Sequence, residues 1–383
     1  MTLTFRWLDR IDAVPAAEWD ALRTDDNPFV AHALLSALER SGSLRAGLGW
    51  RAEHPTLWRG AELVAAAPGY RKANSHGEFV FDFAFADAYE RSLGDYYPKR
   101  LVAVPYTPVR GPRLLARSVE HRRALVDAVA ADTRERGWSS AHVNFIADDE
   151  CDAFDPDWLA RFDWQFHWRN RDYRDFEDFL DALNAKKRKN IRQERARLQR
   201  DGWQFERRAG GALVDAEIDF IHHCYVSTFA EKGNTPALTR AFFADLCRAL
   251  PEQTLAVFAY RDGVRHAMAF LLSSATTLFG RYWGCIGEPA PGLHFETCYY
   301  QGIEHSIAQR LQVFEPGAQG EHKIARGFMP ERMHSRHYFP NREFRTAIAG
   351  YLAREARELE RYRDAVLRHS PYAAAAAAGK ESG

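Results

Sequence analysis

Apolar residues recur at every fourth position in one stretch near the C-terminal end, HFETCYYQGIEHSIAQRL at residues 294–311. This spacing predicts an amphipathic helix. Its apolar stripe consists of Phe295, Tyr299, Ile303, Ile307 and Leu311. A neighbouring row with the same spacing consists of Glu296, Tyr300 and Glu304. The strand-like segments TTLFGRYWG and QVFEP flank the helix, and the polar run GAQGEHKIARGF follows. The stretch 276–328 therefore predicts strand, loop, helix, strand and polar loop.

The rest of the hydrophobic pattern gives one order of elements twice. In the first half we predict strands at 2–8, 55–58, 62–70, 101–106 and 141–146 and helices at 15–22, 29–40 and 121–136. In the second half we predict strands at 163–170 and 202–207, helices at 176–200, 215–230 and 239–250, and a hairpin of strands 254–260 and 264–273 around Asp262 and Gly263. Apart from the long helix 176–200, both halves read strand, helix, helix, hairpin, strand, helix, strand. We therefore predict two copies of one α/β unit with a mixed sheet, at 1–155 and 160–368, and a disordered tail at 369–383.

Charge and composition exclude several classes of protein. The 52 basic and 52 acidic residues cancel, so the chain has no global field that attracts nucleic acid or anionic lipid. Its five cysteines lack a C-x-x-C pair and metal-finger spacing, and we expect no metal site. The first residues lack the apolar core of a targeting signal, and no window resembles a membrane span. We therefore expect a cytoplasmic protein without a transmembrane segment.

Several strings carry a resemblance to a known family. They are NPFVAHALLSALERSG, GEFVFDFAFADAYER, YYPKRLVAVPYTPVRGPRLL, KRKNIRQER, LFGRYWG, LHFETCYYQGIEH and FEPGAQGEHKIARGF. The order of elements is similar to the GNAT acyltransferase fold, and the tandem copy resembles the Fem-type peptidoglycan aminoacyltransferases. The strings resemble more closely the bacterial peptidoglycan biosynthesis/recognition proteins, which are also described as N-acyltransferases. The resemblance covers nearly the whole chain and implies tandem GNAT-like domains.

Acyl transfer to an amine requires a base for the attacking ammonium, donors for the developing oxyanion and an acid for the leaving group. We consider Glu321 and Glu296 as the base, provided that burial raises the carboxyl pKa, and His322 as an alternative base. Tyr282 or Tyr300 could supply the acid. The structural alternatives are that Glu296 only favours the start of a helix, that Glu321 lies on a solvated loop, and that the two tyrosines are core aromatics.

Candidate substrate-binding residues lie in the same stretch and in one segment of the first half. Lys323 and Arg326 could anchor a phosphate or carboxylate, or form an ordinary exposed pair. Further candidates in this stretch are Arg281, Trp283, His294 and Gln319. Asp82 and Asp87, which lie among phenylalanines, could contact a sugar or an acceptor. A half-buried strand edge with satisfied carboxylates is the alternative there.

The sequence leaves the acyl donor open. GNAT enzymes hold the pyrophosphate of coenzyme A with a glycine-rich basic loop before the crossover helix. In the second half this position reads GCIGEPAPGL, where Glu288 opposes a pyrophosphate. The first half offers VRGPRLLAR, with Arg110, Gly111 and Arg113 as candidate cofactor-binding residues. The co-substrate is therefore an acyl-coenzyme A or an aminoacyl-tRNA.

A basic run in the predicted helix 176–200 could attract a polyanion. It consists of Lys186, Lys187, Arg188, Lys189, Arg192, Arg195, Arg197 and Arg200. A solvated helix face is the simplest interpretation of such a run. The alternatives are a site for tRNA, for another phosphate-bearing ligand or for an anionic lipid headgroup at 186–200.

These observations together favour an N-acyltransferase that moves an acyl or aminoacyl group to a primary amine. The acceptor would be related to peptidoglycan, or would be an amino acid or peptide. No cysteine or serine stands in a nucleophile setting, which favours direct attack by the amine. The alternative is a non-catalytic GNAT-fold protein that binds cell-wall precursors or a protein partner.

Overall fold

The computed structural model describes residues 2–231, 233–318 and 320–373. The chain forms two compact units. The first comprises Met1–Asp163, Ala237–Phe242 and Arg332–Glu360, and the second comprises Trp164–Pro236, Phe243–Glu331 and Arg361–Gly383. The segment 332–360 therefore belongs to the first unit, whereas the sequence analysis placed it in the C-terminal domain. The reason is that its strand pairs with a strand at 141–146 of the first unit.

The strands and helices follow one another in a mixed α/β order. The strands are β1 (Leu3–Leu8), β2 (Trp50–Ala52), β3 (His54–Arg59), β4 (Glu62–Ala66), β5 (Gly69–Lys72), β6 (Lys99–Val102), β7 (Leu115–Ala116), β8 (Ala141–Ile146), β9 (Trp158–Arg169), β10 (Gln204–Ala209), β11 (Thr254–Arg261), β12 (Val264–Ser273), β13 (Thr277–Cys285), β14 (Val313–Glu315) and β15 (Met329–Tyr338). The helices are α1 (Ala16–Asp20), α2 (His32–Arg40), α3 (Phe83–Ser92), α4 (Val119–Glu135), α5 (Phe176–Asp181), α6 (Ala185–Arg200), α7 (Asp215–Glu231), α8 (Arg240–Ala249), α9 (Leu293–Phe295), α10 (Gln301–Ala308) and α11 (Arg342–Leu367). A π-helical turn, Glu296–Tyr300, joins α9 to α10.

The first unit contains two sheets. One has the strand order β1–β3–β4–β7, and the other runs β15–β8–β6–β5–β2. In the second sheet β6 and β8 are parallel, and α4 is the crossover between them. The side chain of Ser118 accepts a hydrogen bond from the His121 amide and starts α4. Leu125, Val126 and Val129 of α4 are buried in the core of this unit.

The second unit contains one sheet with the strand order β10–β11–β12–β13–β14–β9. Only β13 and β14 are parallel among the pairs described in it. The crossover between them is the helix predicted from the four-residue spacing. Tyr299, Ile303, Ile307 and Leu311 of its stripe are buried in the core, and Phe295 packs against that core.

Two segments differ from the expected elements. The segment predicted as a single helix at 176–200 is interrupted, because the side chain of Asn184 accepts a hydrogen bond from the Lys187 amide and begins α6 anew. The aromatic run considered as a strand edge forms α3 instead, with Phe85 buried.

The predicted disordered tail is ordered at its start. Tyr372 within it is buried and forms a β-bridge with Leu183. The rest of that tail, 374–383, lies outside the described residues.

Candidate active site in the second unit

The parallel strands β13 and β14 separate after a short pairing. The pairing covers residues 277–279 of β13 and 313–315 of β14, and β13 then continues to Cys285. At Gly280 an added Cβ would lie 3.2 Å from the Cα of Pro316, so glycine allows the two backbones to meet there. We call the region in which this pairing ends, around Gly280, Pro316 and Gly317, the strand opening.

Lys323 lies at the edge of the strand opening. The predicted polar loop forms a 3₁₀ helix at Glu321–Arg326, and Lys323 within it is only 2% exposed. Its Nζ donates a hydrogen bond of 2.5 Å to the carbonyl oxygen of Gly317. An added Cβ at Gly317 would lie 3.6 Å from the carbonyl oxygen of Gly280. Burial lowers the pKa of Lys323 to about 8. Lys323 is therefore a buried amine beside the point where the strands part, and not half of an exposed pair.

The π-helical turn carries the first predicted catalytic carboxylate. Helical turns with one extra residue are rare in proteins, and those that occur are frequently found at functional sites. Both Glu296 and Tyr300 are buried on this turn, 2% and 0% exposed. Their partners come from α6, which the sequence analysis treated mainly as a basic surface.

Arg195 of α6 holds Glu296 in a bidentate ion pair. Its Nε and Nη2 lie 3.0 and 2.9 Å from the two carboxylate oxygens of Glu296. The side-chain amide of Gln301 donates to the same carboxylate at 2.9 Å. The Nη1 of Arg195 also lies 2.6 Å from Glu304. Burial raises the pKa of Glu296, and the Arg195 guanidinium opposes that rise. This geometry favours a positioning role for Glu296 over the predicted role of general base.

A second polar group links α6 to the turn and to the 3₁₀ helix. The hydroxyl of Tyr300 donates to Glu194 at 2.5 Å, and Arg326 Nη2 donates to the same carboxylate at 2.8 Å. Arg326 Nε donates to the Tyr300 oxygen at 3.0 Å, and its guanidinium lies 3.3 Å from the ring centre of Phe295. Burial raises the pKa of Tyr300. Because the Tyr300 hydroxyl already donates its hydrogen bond to Glu194, Tyr300 is poorly suited to the predicted role of acid.

His322 belongs to an aromatic group on the same side. Its Nε2 and the hydroxyl of Tyr299 are 2.9 Å apart. The ring of His294 lies 5.2 Å from that of Trp283 and 5.3 Å from that of Tyr299. Partial burial, with Lys323 and Arg326 nearby, lowers the pKa of His322. His322 is therefore neutral at pH 7 and able to accept a proton.

The other predicted base lies apart from these contacts. Glu321 is exposed, and its carboxylate accepts a hydrogen bond of 2.8 Å from Tyr362. The described contacts join Glu296 to α6 but give no link between Glu296 and Glu321. Gln319, a further predicted substrate contact, lies outside the described residues.

Tyr282 lies in a packing contact, and Arg281 lies beside its ring. The ring of Tyr282 packs against Tyr225 of α7 and Phe243 of α8, at 5.2 and 5.9 Å between ring centres. Burial raises its pKa. The guanidinium of Arg281 lies 5.5 Å from the Tyr282 ring. Contacts with α7 and α8 therefore favour a packing role for Tyr282 over the predicted role of acid.

The predicted residues of the first unit have different environments. Asp82 is buried against Lys99, whereas Asp87 is exposed on α3 and pairs with Arg91 at 2.8 Å. The two aspartates are therefore not a joint substrate contact.

The arginines predicted to hold a cofactor are occupied by the protein. Arg113 is fully buried, and its guanidinium donates to the backbone carbonyl groups of Asn144, Pro112 and Val109. Arg110 pairs with Asp148 at 2.9 Å. At Gly111 an added Cβ would lie 2.4 Å from the Asn27 side chain. These contacts disfavour a pyrophosphate site formed by Arg110, Gly111 and Arg113.

Sequence reasoning missed the inward role of α6. It treated Arg195 as one more member of the basic run, yet the structure pairs Arg188 and Arg192 with carboxylates of α5 and Arg195 with Glu296. The sequence held no local signal for this, because all three arginines lie on α6 and only the packing of the helix decides which carboxylate each one meets.

Comparisons with known proteins agree with this fold. The C-terminal domain of a putative lysylphosphatidylglycerol synthetase from Agrobacterium fabrum is 12% identical, with a TM-score of 0.52, over 90% of this chain and 96% of that one. FemX is 10% identical, with a TM-score of 0.53, over 91% of this chain and 100% of that one. These matches and the mixed sheets of both units confirm the predicted α/β fold with mixed sheets. A tandem GNAT protein from the clavulanic acid biosynthesis pathway also matches, with 12% identity and a TM-score of 0.42 over 89% of this chain and 99% of that one.

A search of curated proteins by sequence gives no significant match. In the part of the chain that the structure describes, no helix has both the length and the apolar character needed to cross a bilayer. The FemAB-like family, described as peptidoglycan biosynthesis/recognition, matches residues 10–374. That match spans nearly the whole sequence, so the chain belongs to the FemAB-like peptidoglycan biosynthesis/recognition family.

Proposed function

We propose that the second unit transfers an acyl or aminoacyl group to a primary amine at the strand opening. The observation that carries this proposal is the separation of β13 and β14 with Lys323 at its edge. A donor carbonyl in the opening would accept hydrogen bonds from backbone N–H groups of β13 and from the ammonium of Lys323. Such donors stabilise the oxyanion that develops when the amine attacks, and they are in place before the substrate arrives.

His322 is the base that fits this arrangement best. The attacking amine must lose a proton, and a neutral imidazole accepts one at pH 7. The lowered pKa of His322 and its contact with Tyr299 support this role. Glu296 acts through Arg195, because that ion pair fixes the π-helical turn that carries Tyr299, the hydrogen-bond partner of His322.

Direct attack by the amine is supported by the state of the cysteines. The thiolate is the reactive form of cysteine, so a raised pKa makes a thiol a poor nucleophile. Burial raises the pKa of Cys224 to about 12, and it also raises the pKa of Cys285 and Cys298. We therefore propose a single transfer step without an acyl-enzyme intermediate.

We propose an aminoacyl-tRNA as the donor and a peptidoglycan-related amine as the acceptor. Lys186 and Lys189 are exposed in the first turns of α6, where a phosphate backbone could bind. The loop before α9 carries the exposed Glu288, which opposes a coenzyme A pyrophosphate. The family description supports the choice of acceptor. Acyl-coenzyme A remains the donor to test beside it.

Mass spectrometry of the amide product tests the proposal. The protein is incubated with charged tRNAs, or with acetyl- and longer acyl-coenzyme A esters, and with lysine, lysyl peptides and peptidoglycan precursor peptides. We expect one donor class to give product and Lys323→Met to lower turnover about a hundredfold or more, because an oxyanion donor is lost. The control Arg248→Met removes an exposed cation of the same unit and should leave turnover unchanged. If no donor gives product and no donor stabilises the protein, the alternative of a non-catalytic binding protein is favoured instead.

A further inference from the structure

A row of buried basic side chains crosses the sheet of the first unit. Lys72 ends β5 and pairs in register with Lys99, which begins β6. His142 of β8 pairs in register with His337 of β15, and their Nδ1 atoms are 2.7 Å apart. Opposed residues of neighbouring strands point to the same face of a sheet. We call these four residues the basic row, and each of them is at most 2% exposed.

The segment 73–82, which we call the cover loop, has an inverted polarity. Its buried side chains are Ser75, Glu78 and Asp82, all of which are polar. Its aromatic residues point outward instead, with Phe79 40% and Phe81 55% exposed. A loop that packs on a hydrophobic core buries its aromatic residues. The cover loop therefore closes over a polar interior and gains little apolar packing by doing so.

The carboxylates of the cover loop contact Lys99 and His142 of the basic row, whereas Lys72 donates to the carbonyl oxygen of His76 at 3.0 Å. Lys99 Nζ donates to Glu78 at 2.9 Å and to Ser75 at 2.8 Å, and it also bonds to Asp82. The Tyr96 hydroxyl donates to Asp82 at 2.8 Å and lies 3.0 Å from His142 Nε2. All the ionisable groups involved are removed from water, which costs several kcal/mol for each ion before any pairing.

The carboxylates fill these positions imperfectly. Oε1 of Glu78 and Oδ1 of Asp82 are buried and have no hydrogen-bond partner among the described residues. Burial raises the pKa of Glu78 to about 7 and lowers that of Lys72 to about 7. Phe79, next to Glu78, has a φ of 60°, a left-handed conformation that is uncommon outside glycine. The closed loop therefore retains unsatisfied oxygens and backbone strain at the same place.

We propose that the basic row is a binding site for a small oxyanion, a carboxylate or phosphate group, and that Glu78 and Asp82 occupy it when this ligand is absent. Lys99 supplies the charge, and Lys72, Tyr96 and His142 supply further hydrogen-bond donors. Lysine binds phosphate as a point charge, so a tetrahedral or a planar oxyanion can take the place of the loop carboxylates. A ligand that displaces them releases the cover loop into water, where both carboxylates are solvated.

A purely structural role for this group is weaker on physical grounds. Replacing a buried ion pair by well-packed apolar residues is often neutral or stabilising. The outward phenylalanines were available to cover an apolar face, yet they remain exposed. The site is independent of the reaction proposed for the second unit, and its test uses no turnover measurement.

Chymotrypsin cleavage of the wild-type protein is the first test, because this protease cuts after phenylalanines whose flanking backbone can leave the folded structure. Phe79, Phe81 and Phe83 are exposed in the closed loop, but the buried side chains of that loop hold its backbone until it leaves the sheet. We expect phosphate or succinate to increase cleavage at these residues several-fold over chloride at equal ionic strength. A model peptide substrate controls for the protease itself. Equal cleavage in phosphate, succinate and chloride, at concentrations up to high millimolar, overturns the proposal.

Calorimetry on variants is the second test. The double variant Glu78→Gln, Asp82→Asn keeps the shape of the loop and removes its competing charges. It should bind phosphate about tenfold more tightly than the wild type, because the binding-competent state is more populated. Asp87→Asn, an exposed neighbour, is the matched control and should bind like the wild type. Lys99→Met in the double variant should abolish binding. Equal phosphate affinity in all variants overturns the proposal, and if the double variant does not fold, the wild-type cleavage result decides.

Discussion

Replacing Arg195 with methionine tests the ion pair that holds the π-helical turn. The substitution keeps an apolar stem and removes the guanidinium. Glu296, whose side chain is 3% exposed, then loses its bidentate partner, and Glu304 loses a partner at 2.6 Å. Gln301 still donates one hydrogen bond to Glu296. The variant therefore leaves a buried carboxylate without a counter-charge.

The magnitude follows from the burial of both partners. Removing one member of a buried ion pair costs about 3–5 kcal/mol. Because the Arg195 side chain is 20% exposed and Gln301 remains, we expect the lower end, about 3 kcal/mol. Without Arg195, only the Gln301 hydrogen bond opposes burial, and the pKa of Glu296 rises further above the unfolded value. A raised folded pKa gives stability that is present at low pH and is lost as pH rises through that pKa. The loss should therefore be larger at about pH 8 than at about pH 5.

Urea unfolding followed by circular dichroism measures this effect at both pH values. The control is Arg188→Met, which breaks an exposed pair with Asp181 and should change the free energy of unfolding by less than about 1 kcal/mol. Adding Glu296→Gln to Arg195→Met should restore part of the stability and remove its pH dependence, because no buried charge remains. A loss no larger than that of the control, or a loss that is the same at both pH values, contradicts the reasoning.

Three further variants or conditions test neighbouring parts of the site. Tyr300→Phe removes a hydroxyl bonded to two charged groups and should cost about 1–3 kcal/mol in urea unfolding, whereas an unchanged midpoint would contradict those bonds. Turnover should fall as pH rises above about 8, where Lys323 loses its proton, and Lys323→Arg should extend activity to higher pH; a profile that is flat across that range would exclude the ammonium. Gly280→Ala places a Cβ 3.2 Å from Pro316 and should lower kcat about tenfold or more by misplacing the donor, so an unchanged kcat argues against the strand opening.

The crossover helix shows what the hydrophobic pattern can predict. Its stripe of apolar residues at every fourth position is buried as expected, because burial of one helix face depends only on local spacing. The row of Glu296, Tyr300 and Glu304 also lies together, as the spacing indicated. The π-helical turn within this helix was not predicted, because the whole stripe was interpreted as one regular α-helix.

The partners of this row were beyond sequence reasoning for a physical reason. Arg195 looks like one more cation in a basic run, since a buried and a solvated arginine have the same local sequence. Only packing against the turn shows that it pairs with Glu296, 101 residues away in the chain. The same holds for Lys99 and Glu78, which pair 21 residues apart in the first unit. Charge pairs between distant segments have no periodic signal, and the catalytic assignments made from residue type alone were the least secure.

We propose that the reacting carbonyl is held at the strand opening by backbone N–H groups of β13 and by Lys323. Hydrogen exchange with the donor that is turned over, or with a stable analogue of it, measures this most directly. We expect slower exchange for the amides of residues 280–285, and loss of that protection in Lys323→Met. Protection confined to other segments, with residues 280–285 exchanging as in the free protein, would contradict the claim.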